Sequence, residues 1–436
     1  MDRFLVEGPT RLVGEVATAG AKNAALPCLA ATLLCAEPVR LTNLPDVRDI
    51  LTMQKLLRHI GVFLAAEPGA ATVEAREIGS ADAPYDLVKT MRASVLVLGP
   101  LLARSGSVRV SLPGGCAIGA RPIDLHLEAF RRLGAEVSLE HGYVEARASR
   151  LVGADVPFET VTVTGTENAM LAAVLARGST RLLNAAREPE VTDLADLLRA
   201  MGARIDGDGT NTIRVEGVSE LRGAAHSVVP DRVEAGTYAI AGALTGGDVT
   251  VTRCRPAHLK ALTARLASSG ASVEAGEDWL RVRGGGAGAL QPQDVATAPY
   301  PGFPTDLQAQ WMALATQMAG VSTVTETVFE NRFQHVPELV RMGARIRLEG
   351  RWAVVEGPTR LTGASVMASD LRASAALVLA GLIADGETVI DRVYHLDRGY
   401  DRMEVKLSAL GGRVHRSSFP TGTFPIPAIA RGSGSP

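Results

Sequence analysis

The sequence predicts an α/β fold assembled from six copies of one unit, and two repeating features carry that reading. The first is a helix end, a glycine and then a strand. It occurs at Ile60-Gly61-Val62, Leu133-Gly134-Ala135-Glu136-Val137, Met201-Gly202-Ala203-Arg204-Ile205, Ser269-Gly270-Ala271-Ser272-Val273, Met342-Gly343-Ala344-Arg345-Ile346 and Leu410-Gly411-Gly412-Arg413-Val414. The glycines lie 73, 68, 68, 73 and 68 residues apart, a period that marks a repeated architecture. A left-handed residue ends many helices, and glycine adopts it without a side-chain clash. The second feature is an Ala/Leu-rich helix, a short turn and a β-branched strand, in step with the first: Asn168–Leu183, Gly236–Val251 and Leu371–Val389.

These helices are apolar on nearly every face, which predicts burial on most sides. Each unit of roughly 70 residues holds two helices and about four short strands, and such alternation argues for helices packed on sheets. A third echo links the chain's ends: Glu7-Gly8-Pro9-Thr10-Arg11-Leu12 returns as Glu356-Gly357-Pro358-Thr359-Arg360-Leu361. It suggests that the N-terminus packs with the C-terminal half. Repetition alone leaves open a continuous array or two bodies of three units.

Composition narrows the function. The 436 residues are 46% apolar and 21% charged, an ordinary globular balance, and the length suggests two to three domains. A formal charge of −2 provides no general attraction to nucleic acid or to an anionic membrane, so anionic ligands need local Arg and Lys clusters. Cys28, Cys35, Cys116 and Cys254 show neither C-x-x-C pairing nor zinc spacing, which favours a reducing cytoplasm. The apolar stretches Ala24–Ala36 and Ala373–Ala384 are too short to span a bilayer and read as buried helices. No phosphate loop, nucleophile elbow or H-E-x-x-H pair occurs, no histidine has metal-ligand spacing to another, and no bound metal is expected. Ser, Gly and Pro dominate from about Ser417 onward, which predicts a disordered tail.

The residues suited to chemistry lie mostly in loops and at helix starts. In Leu112–His126, three glycines and two prolines rule out a helix or central strand, and Cys116 stands five residues before Arg121. A neighbouring cation lowers a thiol's pKa and makes it reactive. Lys22 opens an apolar helix, where an anion would meet both the positive end of the dipole and the ammonium; a solvated lysine is the plain alternative. Arg92 and Arg372 occupy equivalent places in two repeats, each opening an apolar helix, and a guanidinium matches two oxygens of a phosphate or carboxylate. Asp306 stands at the entry to a helix expected over Leu307–Ala319, where a cap is the commoner role. Arg332 and Arg398 lie in polar loops and taken singly pass as surface charges.

Several segments in order, namely Gly20–Pro27, Pro113–His126, Asn184–Glu190, Phe303–Asp306, Thr325–Arg332 and Tyr394–Tyr400, resemble the enolpyruvyl transferases, in particular the UDP-N-acetylglucosamine 1-carboxyvinyltransferase family. The resemblance runs from Phe4 to about Val414. It implies an inverted α/β barrel: two domains, each of three βαβαββ repeats. The expected domains are residues 21–229, carrying the cysteine loop, and residues 1–20 with 230–416, leaving 417–436 as tail. Phosphoenolpyruvate and UDP-N-acetylglucosamine would meet in the cleft between them, with no cofactor, nucleic acid or membrane involved.

By the same resemblance, Cys116 is the general acid of a lid loop and the residue alkylated by fosfomycin. Lys22, Arg121 and Arg398 match the residues that bind phosphoenolpyruvate, and Arg92, Arg332 and Arg372 match further cleft residues. Asp306 matches the contact to the sugar hydroxyl and is the candidate base. Asn23, Arg121, Pro122, Ile123, Asp124, Leu125, Asp306, Val328 and Phe329 match positions that hold the UDP-sugar. Thr164-Gly165-Thr166-Glu167-Asn168 departs from the family's best-known pattern, so no uridine contact is carried over there. Three rivals are a shikimate 3-phosphate transferase, disfavoured by the Pro-Gly-Gly-Cys loop, a clamp-like six-repeat ring, disfavoured by the charge, and a non-catalytic sensor of UDP-sugars.

Overall fold

The computed structural model describes residues 2–89, 91–112 and 123–418. Cys116, Arg121 and Pro122 of the expected loop and the tail from residue 419 lie outside the described residues. The strand Arg413–Ser418 runs two residues into the segment expected as tail.

Among the described residues the strands form six four-stranded sheets of one topology. In the sheet of Asp155–Pro157, Ser179–Leu183, Thr212–Glu216 and Arg204–Asp206, the first pair is parallel and the other two antiparallel. The same pattern recurs around Val39–Thr42, Ser107–Ser111, Asp248–Thr252, Gly320–Thr325 and Gly386–Asp391. The six repeat glycines Gly61, Gly134, Gly202, Gly270, Gly343 and Gly411 all have φ between 91° and 104°, the left-handed cap that their spacing predicts.

Borrowed strands complete the units. Ala225–Ser227 lies parallel to Val39–Thr42 and so joins the sheet that opens the N-terminal half. At the chain's other end, Asp2–Gly8 inserts between Gly386–Asp391 and Arg413–Ser418, with Phe4 opposite Ile390 and Arg416. Val13–Ala17 pairs with Asp248–Thr252. The N-terminal strands thus belong to C-terminal sheets, as the repeated Glu-Gly-Pro-Thr-Arg-Leu suggested.

Buried apolar side chains fall into two large clusters. One runs from Ala21 to Val229; the other joins Phe4–Val16 to Val233–Val414. At the centre of the second, the helices Arg232–Leu244, Gln308–Ala315 and Leu371–Ile383 pack on one another. In the first, Lys22–Ala31, Leu98–Ser105 and Val163–Ala173 are joined through the 3-10 turn Arg92–Val97. The expected helices are present but shorter: Lys22–Ala31 gives way to a 3-10 turn at Thr32–Leu34, and the helix after Asp306 ends at Ala315.

Polar side chains brace the first core. Asn168 donates from Nδ2 to Val95 O (2.9 Å) and to His126 Nδ1 (3.1 Å), while its Oδ1 accepts from Gly99 N (2.8 Å). With Nδ1 accepting, His126 carries its proton on Nε2 and donates to Thr164 Oγ1 at 3.3 Å. Burial, with a smaller contribution from Arg92, pushes the His126 pKa down to about 4.

The chain passes between the two clusters at residues 18–21 and 228–231, side by side. Ala21 N donates to Val229 O (2.7 Å), Asp231 N to Ala19 O (2.9 Å), and Gly20 bridges Pro230. Glu234 accepts from Ala19 N at 2.8 Å and pairs with Lys406 at 2.6 Å. Asn43 donates to Val228 O at 2.7 Å and accepts from Arg253 at 3.0 Å. A Cβ at Gly20 would lie 1.7 Å from Asn43 O, so no larger residue fits this crossing.

Two outcomes are expected. Gly20→Ala forces the connector off Asn43 and costs about 3 kcal/mol, measured as a lower urea midpoint at unchanged slope; a wild-type midpoint would show that the crossing yields freely. His126 binds a proton in the unfolded chain below about pH 6.5 but in the folded chain only near pH 4, so its contribution is full above pH 6.5 and lost as pH falls. His126→Gln therefore flattens the pH dependence of unfolding between pH 4 and 6.5 by about 1.4 kcal/mol per unit. An unchanged slope in urea titrations across that range would contradict the neutral assignment.

Candidate functional site

The buried helices explain where charge can gather. A helix with no solvent-facing side holds an ionised side chain at lowest cost at its ends. Lys22 is the first residue of Lys22–Ala31, Arg92 of the 3-10 turn leading into Leu98–Ser105, and Arg232 of Arg232–Leu244, while Arg372 is second in Leu371–Ile383. Asp306 sits in the 3-10 turn Thr305–Leu307 before Gln308–Ala315.

Two ion clusters follow. In the first, Asp49, in the opening turn of Arg48–Ile60, is shared between the two halves. Lys22 Nζ meets its Oδ2 at 3.2 Å, and Arg398 reaches Oδ1 with Nε at 3.0 Å and Oδ2 at 3.4 Å. Burial works against the Lys22 charge and, despite help from Asp49, leaves its pKa below the ordinary value, with Arg372 and Arg398 adding to the fall. Burial also works against the Asp49 carboxylate, but Lys22 and Arg398 outweigh it and hold its pKa below the usual range.

In the second cluster Asp306 is held by two arginines. Arg332 donates to Oδ1 at 2.7 Å, and Arg372 donates to Oδ2 from Nε at 3.1 Å and from NH2 at 3.0 Å. Burial would raise the Asp306 pKa, yet Arg372 and Arg332 force it well below the carboxylate range. Asp306 caps nothing; the cap of the Arg372 helix is Asp370, whose carboxylate accepts from Arg372 N and Ala373 N. The Arg372 guanidinium lies 5.3 Å from the Tyr400 ring centre, and the Tyr400 hydroxyl is tied to Thr237 (2.9 Å) and Gln310 (3.1 Å).

Arg332, expected to pass as a surface charge, is 5% exposed. Its tertiary partners draw it in: Asp306, Thr305 Oγ1 at 3.3 Å and the face of Phe329 at 5.1 Å. Buried Glu326 organises this loop, accepting from Thr305, Thr297 and the backbone N–H groups of Val328 (2.8 Å) and Phe329 (3.1 Å). Val328 and Phe329 are thereby fixed beside the Asp306 cluster. Asn23 is exposed next to buried Lys22. Ile123, Asp124 and Leu125 form the start of the helix Asp124–Arg132, whose His126 adjoins Arg92.

The clusters are neighbours. Arg372 acts electrostatically on Lys22, and Asp306 acts on Arg232. Arg232 in turn pairs with Glu190 of the other half at 2.9 and 3.3 Å, and Glu188 accepts from Tyr300 N at 3.1 Å. Lys22, Arg372, Arg398, Arg332 and Asp306 are therefore brought together where the halves meet. Asp49, Glu326, Glu190 and Arg232 escaped the sequence reading. An Asp or Glu in a first helical turn, as at Asp49 and Glu190, reads as ordinary dipole chemistry, and nothing local signals its distant partner.

Such a site can bind a ligand with several negative charges, because the four cations Lys22, Arg398, Arg332 and Arg372 are paired with Asp49 and Asp306, carboxylates that an anionic ligand can displace. Among the described residues no helix is long and apolar enough to cross a membrane.

Comparisons with known proteins agree with this geometry. The family described as EPSP synthase (3-phosphoshikimate 1-carboxyvinyltransferase) matches residues 6–407. The UDP-N-acetylglucosamine 1-carboxyvinyltransferase of Koribacter versatilis is 56% identical over 432 residues, covering 98% of this chain and 99% of that one. The protein of that name in Solibacter usitatus is 58% identical over 418 residues, covering 95% and 100%. Among solved structures, the enolpyruvyl transferase NikO from Streptomyces tendae superposes with a TM-score of 0.86 at 27% identity, covering 96% and 99%. EPSP synthase from Acinetobacter baumannii, at 19% identity, TM-score 0.73 and coverage of 96% and 100%, shares the fold. The chain therefore belongs to the UDP-N-acetylglucosamine 1-carboxyvinyltransferases, on the EPSP synthase fold.

Proposed function

We propose that this protein transfers the enolpyruvyl group of phosphoenolpyruvate to the 3-hydroxyl of UDP-N-acetylglucosamine, releasing phosphate, as the first committed step of peptidoglycan synthesis. The observation that carries this is identity above 55% with relatives of that activity along nearly the whole chain. Residues 21–229 form one domain, and residues 1–20 with 230–416 form the other. The substrates bind between them, and the reaction belongs to the cytoplasm.

The reaction begins with a proton delivered to the methylene carbon of the enol, which leaves a cationic centre at the adjacent carbon. The sugar's 3-hydroxyl attacks that carbon and loses its proton, forming a tetrahedral intermediate. Loss of phosphate together with a proton from the new methyl group restores the double bond. Cys116 is the acid in this reading, on the strength of the Pro-Gly-Gly-Cys motif. Lys22, Arg121 and Arg398 hold the phosphate and carboxylate, so their charge balances the leaving phosphate as its bond breaks. Arg92, Arg332 and Arg372 complete the cationic wall, and Asn23, Pro122, Ile123, Asp124, Leu125, Val328 and Phe329 hold the UDP-sugar. By the family resemblance, a lid carrying Cys116 would exclude water from the intermediate.

Asp306 is the base, and its surroundings set a condition on that role. Held by two guanidinium groups, its carboxylate is too weakly basic to take a hydroxyl proton efficiently. A substrate phosphate or carboxylate that draws Arg372 away removes the main depressing charge and raises the Asp306 pKa. Substrate binding thus arms the base. By the same competition, substrate phosphate displaces Asp49 from Lys22 and Arg398.

Phosphate release from phosphoenolpyruvate is expected to require UDP-N-acetylglucosamine. Release with shikimate 3-phosphate instead would transfer the protein to the sister activity, and silence with both would leave a binding protein. Cys116→Ala is expected to abolish turnover while calorimetry shows the UDP-sugar still bound; undiminished turnover would remove Cys116 from the acid role. Asp49→Asn removes the charge that competes with substrate phosphate for Lys22 and Arg398 and is expected to lower KM for phosphoenolpyruvate by about tenfold. A wild-type value would make Asp49 a bystander.

A further inference from the structure

Away from the cleft, three side chains with metal-binding donors converge from distant parts of the chain. Cys28 lies within the buried helix Lys22–Ala31, Asp193 within Pro189–Ala200, and His226 on the strand Ala225–Ser227. One ligand atom of each lies within 4.8 Å of the other two. Asp193 Oδ1 is 3.1 Å from His226 Nε2, and its Oδ2 is 3.8 Å from Cys28 Sγ. Donors on one tetrahedral zinc, at about 2.0 Å for N and O and 2.3 Å for S, stand roughly 3.3–3.7 Å apart, so small side-chain shifts suffice to close the three on one ion.

The reaction proposed for the cleft uses none of these three side chains.

We propose that Cys28, Asp193 and His226 form a binding site for a borderline-soft divalent cation such as Zn2+, distinct from the substrate cleft. Sulfur, imidazole and carboxylate donors select such an ion over Mg2+ or Ca2+. Binding breaks the S–H bond of Cys28, forms a metal–sulfur bond and releases one proton to solvent, so affinity rises with pH. The side chain of His226 is 13% exposed, which gives an entry route and room for a water as fourth ligand. Asp193 Oδ1 also accepts from Val229 N at 3.2 Å, so the ion ties two helices to the strand that leads into the crossing between halves.

Co2+ serves as the spectroscopic probe, titrated into the full-length Cys116→Ala protein after chelator treatment, so that the loop thiol cannot contribute. The expected result is one tight equivalent with thiolate-to-cobalt charge-transfer absorption. Cys28→Ser in the same background is expected to lose that absorption, and His226→Gln to weaken Zn2+ binding at least tenfold in competition with a chromogenic chelator. Zn2+ is also expected to raise the thermal midpoint of the unmutated protein, since it binds the folded state alone. Absorption that survives Cys28→Ser, or absence of a saturable equivalent, overturns the proposal. Should Cys28→Ser fail to fold, unchanged Zn2+ affinity in His226→Gln overturns it equally.

Discussion

Helices buried on every side hold charge at lowest cost at their ends, and the ion clusters of this molecule are arranged around that constraint. Each half carries such helices at its centre, and the residues at their starts include Lys22, Arg92, Arg232 and Arg372, with Asp306 in the turn before another. Burial makes unpaired charge expensive, so the cations recruit Asp49, Asp306 and Glu190 as partners. The dipole of a helix start and the side-chain cation favour the same ligand, an anion. Packing, rather than a surface motif, therefore concentrates positive charge where the two halves face each other.

The pairs that keep these charges satisfied also join the halves. Asp49 holds Lys22 of one core and Arg398 of the other, and Glu190 holds Arg232 across the same boundary. A phosphate or carboxylate that replaces such a carboxylate changes what links the halves as well as what fills the cleft.

Repetition with borrowed strands gives the fold its closure. Ala225–Ser227 completes the first sheet of one half, and Asp2–Gly8 and Val13–Ala17 complete sheets of the other. Both chain crossings are thereby forced into one place, where Gly20 passes so near Asn43 that only hydrogen fits. The Cys28–Asp193–His226 group lies against one of these crossings.

Much of this was legible in the residues themselves. The 68- and 73-residue spacing of glycines, the all-apolar helices and the repeated Glu-Gly-Pro-Thr-Arg-Leu specify six units and an exchange of the first strands, because backbone conformation and helix burial are local demands that each segment states for itself. The family motifs likewise brought Lys22, Asp306, Arg332, Arg372 and Arg398 forward. Which acid meets which cation was decided only in three dimensions. Asp49 and Arg398 stand 349 residues apart, and Cys28 and Asp193 stand 165 apart. An ion pair or a metal site depends on distance in space and on the dielectric around it, and the sequence determines both only through the completed fold.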